Sequence, residues 1–539
     1  MIKSIVLIYN SIRKNIDFDS KQINKTVVDC SEMMTNQYHS FDIEIEFLIP
    51  IIAFRNHDYT WVDLSSNRIA TELSSKIIKL DNGSFVQANT TNGIWEVNKQ
   101  NRHKLIWRFN PNFSKSITEY NGINNSKMIT SANLFVDFTE QPALLFSNKN
   151  ALEISRSKIP FSAIACFTDH CDYDTLANLK LQRAFFLKHK IKTTKGFFLN
   201  HFSKRNDNAS YENDSLELEK WKTDGHELCY HSLSQSIKSA TDSKQDFENF
   251  KPPFDAIPVW IDHGFQPYNF SLYKNNDVSN VVFEQKLIEK NIKTLWNYID
   301  SGTATSGVIN QLDSSQFTLK KYWDGLQEFS MKTKLAMIFK NIVFHYDNDA
   351  NRVRNYIDLV ASVRAIIVKK QVSKIFKLIE NVIPLMLLVF KVVLFWNSEK
   401  NKPYKLAKYS PLVFPHKISN YTFSVFQTLE MVDFKKALSP KNVDLLCKQS
   451  GVFIAHTYFS VDMKHYSGKL FKKEGVLDED VDSNFQNLSD KIQKNLLWNP
   501  TLSELIEYFN IFENIVFDVD QDGIIFIKTN TNITSRAIN

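Results

Sequence analysis

The chain has 539 residues, with 65 basic and 59 acidic side chains for a formal net charge of +6, and is 43% hydrophobic and 13% aromatic. That length exceeds what one ordinary core organises, so two or more domains are expected, and the composition excludes a disordered chain. So small a net charge gives no concentrated basic face and argues against nucleic acid as a partner. The opening MIKSIVLIYN has only a short apolar run and no small-residue cleavage site, so Ile5–Ile8 predicts a first strand rather than a secretory signal. Five scattered cysteines (Cys30, Cys166, Cys171, Cys229 and Cys447) show no paired spacing, which points to a reducing, cytoplasmic setting.

From about Phe41 to Asn148, apolar and polar residues alternate in short runs (FDIEIEF, GIWEV, HKLIWRF) between Asn, Gly and Ser turns. This predicts a β-rich N-terminal domain over 1–150, with Trp61, Trp95 and Trp107 either in its core or on a sugar-binding face. From Phe161 the pattern changes. FSAIACFT, TTKGFFLN, HELCYH, IPVWIDHG, IKTLWNYID, NIVFHYD and GVFIAHTYF read as strands, with helices between them at Leu176–His189 and Leu216–Trp221. Strands spaced in this way predict a parallel α/β arrangement, whose chemistry gathers at the strand C-termini. Ile375–Trp396 is strongly apolar but carries Lys377, Glu380, Pro384 and Lys391, with lysines flanking both ends. Three readings stay open: a buried or dimer-forming helix, an interfacial helix on an anionic membrane, and a span.

The densest constellation is CFTDHCDYDT, with Asp169, His170, Cys171 and Asp172, followed by DGHELCYHSLSQS, with His231 at a later strand end. Carboxylate and neutral imidazole together suit Zn first, or Co, Ni, Mn or Fe, better than Ca or Mg. Such an ion polarises an acyl carbonyl and activates water. Cys171 or Cys229 in a zinc site, and Cys171 as a nucleophile aided by His231, are further readings of the same cluster.

At these residues the chain resembles the polysaccharide deacetylase family, carbohydrate esterase family four. That family pairs a strand-end Thr-Phe-Asp-Asp-Gly motif with Gly-His-Glu-(Ile/Leu)-x-x-His-(Ser/Thr)-x-x-His. Gly225-His226-Glu227-Leu228 and His231-Ser232 match the second motif, Lys195-Gly196-Phe197-Phe198-Leu199 resembles the strand between the two, and Gln235 falls where a second metal histidine stands. The first motif is closer to a variant branch reading Thr-His-Asp-x-Asp. There Asp172 matches the second aspartate, His170 stands at the first, and Asp169 lies one position earlier.

The resemblance covers 161–262 well and implies an irregular (β/α) barrel of polysaccharide-deacetylase type over 155–528, with an insertion at 311–440 carrying the apolar helix 375–396. It implies His170, Asp172 and His231 as metal ligands and Asp169 as general base. Gly451–Thr457 resembles the family's late Leu-x-His strand, which makes His456 the general acid, with His345 as its competitor. Asp262 and His263 would face the substrate. The implied function is hydrolysis of an N- or O-acetyl group on a sugar, polysaccharide precursor or glycolipid, in the cytoplasm or at the inner face of its membrane. A non-catalytic carbohydrate-binding or scaffolding protein is the alternative that Gln235 favours. A different metal-dependent hydrolase, its centre redefined by His170 and His263, is the third.

Overall fold

A computed structural model of the chain describes residues 1–18, 24–121, 126–264, 269–274, 279–300, 309–327, 329–346, 349–399, 401–431, 433–460 and 469–539. The N-terminal region is β-rich. One six-stranded antiparallel sheet runs Ile12–Asn15, Ile2–Tyr9, Phe41–Phe47, Lys104–Phe109, Ile94–Val97, Arg68–Ala70. A second runs Lys25–Val27, Ala143–Ser147, Phe85–Ala88, Ile77–Leu80, Ile51–Arg55, Trp61–Val62. Phe41–Phe47 shows why they pack: its apolar residues are buried, while Asp42, Glu44 and Glu46 alternate outward. Arg108 bridges Asp42 and Glu96 on that outer surface. Ile43, Ile45, Trp95 and Trp107 of the first sheet share one core with Phe54, Ile78, Val86 and Leu144 of the second. Trp95 and Trp107 therefore belong to the core. Trp61 lies under the Arg55 guanidinium and stacks on Phe85.

The second region is a closed barrel of seven parallel strands, β1 (Ala163–Asp169), β2 (Thr194–Phe197), β3 (Glu227–His231), β4 (Val259–Ile261), β5 (Thr294–Asp300), β6 (Tyr421–Glu430) and β7 (Val452–Thr457). Each pairs with the next, and β1 closes the ring against both β7 and β2. β1 and β7 are buried along their whole length, because helices cover the outer face and side chains fill the inner one. Phe167, Phe197, Tyr230, Trp260 and Phe453 point into the helical layer with Phe186, Leu218 and Trp221. Ile164, Cys166, Cys229, Val259, Ile261, Ile454 and Phe426 share a second cluster with Leu502, Leu505 and Phe509 of the helix Leu502–Glu513. At the closure Gly196 is required: a Cβ there would stand 2.3 Å from the Asp169 carbonyl oxygen.

Two expectations change. NIVFHYD is not a strand: Ile342–Tyr346 forms a π-helical turn continuing the helix Met331–Asn341, and His345 packs against Tyr404. β6 lies inside the 311–440 segment that the sequence marks as an insertion. The excursion between β5 and β6 holds the helices Leu319–Gly325, Met331–Asn341, Ala350–Lys369 and Ile375–Leu394, and then the strand Val413–Ile418, antiparallel to β6. Among the described residues, no helix is long and apolar enough to cross a membrane.

The two regions are knitted together. Glu153, fully buried, accepts two hydrogen bonds of 2.8 Å from Arg55, and Ser535–Ile538 pairs with Ala151–Ile154. The hairpin Ser116–Asn121 with Ser126–Ser131 reaches β5, where Asn297 receives the Thr118 amide at 2.9 Å and donates to the Ser116 carbonyl at 2.6 Å.

Candidate metal centre

The two-residue period of a strand sets the composition of the barrel interior. Along β1 the same face carries Ile164, Cys166, Thr168 and then His170; along β3 it carries Cys229 and His231; along β4, Val259, Ile261 and His263; along β7, Val452, Ile454 and His456. The apolar members occupy the interior, and each series ends on histidine at the strand C-terminus. Four imidazoles thus meet at one mouth. The His170 ring stacks on His456 with centroids 3.9 Å apart and meets His231 edge-on at 4.7 Å, while His231 and His263 lie 4.8 Å apart. Trp296 from β5 and Phe198 after β2 wall the group.

Asp172 enters from the turn after β1, and its carboxylate lies 3.1 Å from His231 Nε2 and 3.2 Å from His263 Nδ1. His231 Nε2 and His263 Nδ1 are themselves 3.1 Å apart. His170 completes a buried set with Asp172 and His231 whose ligand atoms all lie within 4.8 Å of one another.

His263 Nε2 faces the Gln235 carbonyl at 2.9 Å, and a carbonyl only accepts, so Nε2 carries the ring hydrogen. Nδ1 then faces Asp172 and His231 Nε2: a protonated ring would donate there to the carboxylate, and a neutral ring would offer its lone pair to a cation. Imidazole nitrogens and a carboxylate are the donor types a divalent transition ion takes, and the buried set of His170, Asp172 and His231 offers them together. His170 Nε2 is buried with no hydrogen-bond partner, a further open donor position at the same place. The residues present therefore fit a divalent ion.

The electrostatics agree. Burial, reinforced by His456, His231 and His263, holds the His170 ring well below its usual range, and burial brings His231 down to about 4. Both are therefore neutral, as ligands must be. Burial opposes ionisation of Asp172, but His263 and His231 outweigh it and hold the carboxyl below the ordinary carboxylate range.

Local backbone fixes these positions. Ser232, immediately after β3, is left-handed (φ 51°), and its hydroxyl accepts the His263 amide at 2.9 Å, tying the end of β4 to that of β3. Gln235 occupies the motif position of a second histidine and acts on two ligands: its side-chain amide donates to Asp172 at 3.3 Å and its carbonyl orients His263. Asn208 holds the Gln235 side chain at 3.1 Å.

The remaining expected residues lie as follows. Asp169 stands outside the triangle, where its carboxylate is bound by the buried Lys195 ammonium and receives the Phe459 amide at 3.4 Å. Burial pushes the Asp169 carboxyl up to about 7, with Lys195 pulling the other way. Lys195 also binds Asp174 at 2.5 Å, and Asp174 accepts from Gln182 at 2.7 Å. Burial opposes the Lys195 charge, but Asp169 and Asp174 hold it above its usual range. Asp262 receives the Trp260 indole at 3.0 Å and the Phe270 amide at 3.3 Å, and burial pushes it up to about 7. His263 joins the triangle rather than standing apart from it. His456 lies against His170, whereas His345 sits in the helical excursion. Burial pushes the Cys171 and Cys229 thiols well above their ordinary range, which does not suit a thiolate ligand or nucleophile.

Lys195 does not stand out in the sequence as a functional residue, and His263 enters there beside the substrate and in the reading of a centre redefined with His170. The signal for Lys195 was a lone cation inside the apolar strand TTKGFF. Comparison with protein-family models, with curated proteins and with solved structures finds no match to this chain.

Proposed function

We propose that the chain is a metal-dependent hydrolase that removes an acetyl group from a sugar, polysaccharide precursor or glycolipid. The observation that carries the metal-dependent part is the convergence of Asp172, His231 and His263 at the strand ends, with contacts of 3.1 to 3.2 Å between them. His170 stands beside them as a further ligand. Zn is the first choice, with Co, Ni, Mn or Fe fitting the same donors. The acetylated carbohydrate is supported by the resemblance of Gly225–Leu228, His231-Ser232 and the Asp169–Asp172 run to the polysaccharide deacetylase motifs, and a barrel of that type would carry them.

A bound ion supplies Lewis acidity, polarising the acyl carbonyl and activating water. The protein's own groups handle the protons. The family resemblance gives the role of base to Asp169, whose carboxylate is held by the buried Lys195 ammonium. His456, stacked on His170, donates the proton to the leaving group. The wall of Trp296 and Phe198 bounds the space beside the triangle, while Asp262, bound to the Trp260 indole and the Phe270 amide, faces the helical layer instead.

The test is release of acetate from a panel of N- and O-acetylated sugars and nucleotide sugars by protein supplied in turn with Zn, Co, Ni and Mn. The reading predicts turnover that Asp172→Ala abolishes, and that Asp169→Asn lowers about 10²- to 10⁴-fold without loss of metal. No acetate from any substrate with any metal would overturn the deacetylase assignment.

A further inference from the structure

The helices Ala350–Lys369 and Ile375–Leu394 pack against each other as a hairpin, burying Ser362, Asn381, Leu385, Leu388 and Val392. Their other faces are also apolar. On the second helix Phe376, Ile379, Ile383, Leu387, Phe390 and Leu394 are exposed, Phe376 by 81%. Their spacing of three and four residues puts them in one stripe along a helix of about 30 Å. Ile357, Val360, Val363 and Ile367 continue the exposed apolar surface on the first helix, and Val372 does so at the tip. A contiguous patch of this kind marks an interaction site.

Charge identifies what covers it. Residues 350–395 contain eight basic side chains and two acidic ones, a net +6 equal to that of the whole chain, so the other 493 residues sum to zero. Arg354, Arg364, Lys369, Lys370, Lys374, Lys377 and Lys391 are all exposed. A second copy of the hairpin would set +6 against +6 across the interface. A surface with an apolar interior and anionic headgroups matches both features, and an amphipathic basic helix lying in such an interface needs no span. We propose that this hairpin docks the protein on an anionic lipid surface, its aromatic and aliphatic stripe entering the headgroup boundary and its lysines meeting the phosphates.

The experiment is co-sedimentation of the full chain with vesicles of phosphatidylcholine alone and of phosphatidylcholine with phosphatidylglycerol. Binding is expected only to the mixed vesicles, with release in high salt. Phe376→Ser with Phe390→Ser should abolish it while leaving the melting temperature unchanged, since both rings face outward. Lys369→Gln, Lys370→Gln and Lys374→Gln together should weaken partition on the order of a hundredfold. Equal recovery in the supernatant with and without mixed vesicles overturns the proposal, as does binding that neither variant alters. A vesicle-independent dimer that the phenylalanine variant dissociates, without lipid binding, would assign the face to a second copy and overturn it too.

Discussion

Replacing Lys195 by methionine should destabilise the barrel through charge rather than volume. The side chain is fully buried and its ammonium bridges Asp169 and Asp174, themselves no more than 3% exposed. Methionine fills nearly the same space, so the cavity term is small. What remains is two buried carboxylates, with one amide at 3.4 Å on Asp169 and one Gln182 amide at 2.7 Å on Asp174. Removing one partner of a buried ion pair costs about 3–5 kcal/mol, and two stranded carboxylates place Lys195→Met at the upper end. In a chain of 539 residues, where the entropy of unfolding gives about 1 °C per kcal/mol, the melting temperature should drop by roughly 5 °C. The deficit must depend on pH. Burial already raises the Asp169 carboxyl and Lys195 opposes that rise, so without the ammonium the stability present where Asp169 is protonated is lost as pH rises through its raised value. Calorimetry should therefore find a larger deficit at pH 8 than at pH 5. Adding Asp169→Asn and Asp174→Asn should recover most of the loss, because the three groups act as one unit. A deficit below about 1 kcal/mol, or one that does not change with pH, would refute the reasoning.

Gly196→Ala should distort the barrel at its closure and lower metal affinity together with stability, because its new Cβ meets the Asp169 carbonyl one residue before His170; calorimetric metal titration unchanged from wild type would count against this. Asp262 is pushed up to about 7 by burial, so it contributes stability at low pH that is lost as pH rises through 7. Asp262→Asn in metal-free protein should therefore gain on the wild type between pH 4 and 7, by roughly 4 kcal/mol at most, and a pH-independent difference in denaturant midpoint would contradict that. Trp107→Ala, deep in the sandwich core and holding the Asn92 carbonyl at 3.0 Å, should cost about 3–5 kcal/mol in chemical denaturation while leaving the metal centre intact.

Much of this architecture was legible in the residues, for physical reasons. Strands buried on both faces read as apolar runs, so β1, β3 and β7 stood out, and the helix Leu176–His189 fills the interval between β1 and β2, capped in the structure by the Thr175 side chain. β6 was hidden because Ser, Thr and Gln interrupt its apolar positions. NIVFHYD misled because a short apolar run has no period long enough to separate strand from helix. At the mouth, the motif drew Asp172, His231 and His170 together. The part played by His263 depends on two facts that no linear spacing contains: the pairing of His231 with Ile261, and the hydroxyl of Ser232 holding the next turn. Lys195 was obscured in the same way, since its two carboxylate partners lie 21 and 26 residues away.

Function in this chain depends first on whether the histidine and aspartate mouth holds a metal ion. Isothermal titration of metal-stripped protein with Zn and with Co should give about one site per chain, undiminished in His345→Ala. It should be lost in Asp172→Ala, His231→Ala and His263→Ala, with circular dichroism unchanged. No binding to the wild type, or a site that survives all three losses, would contradict it.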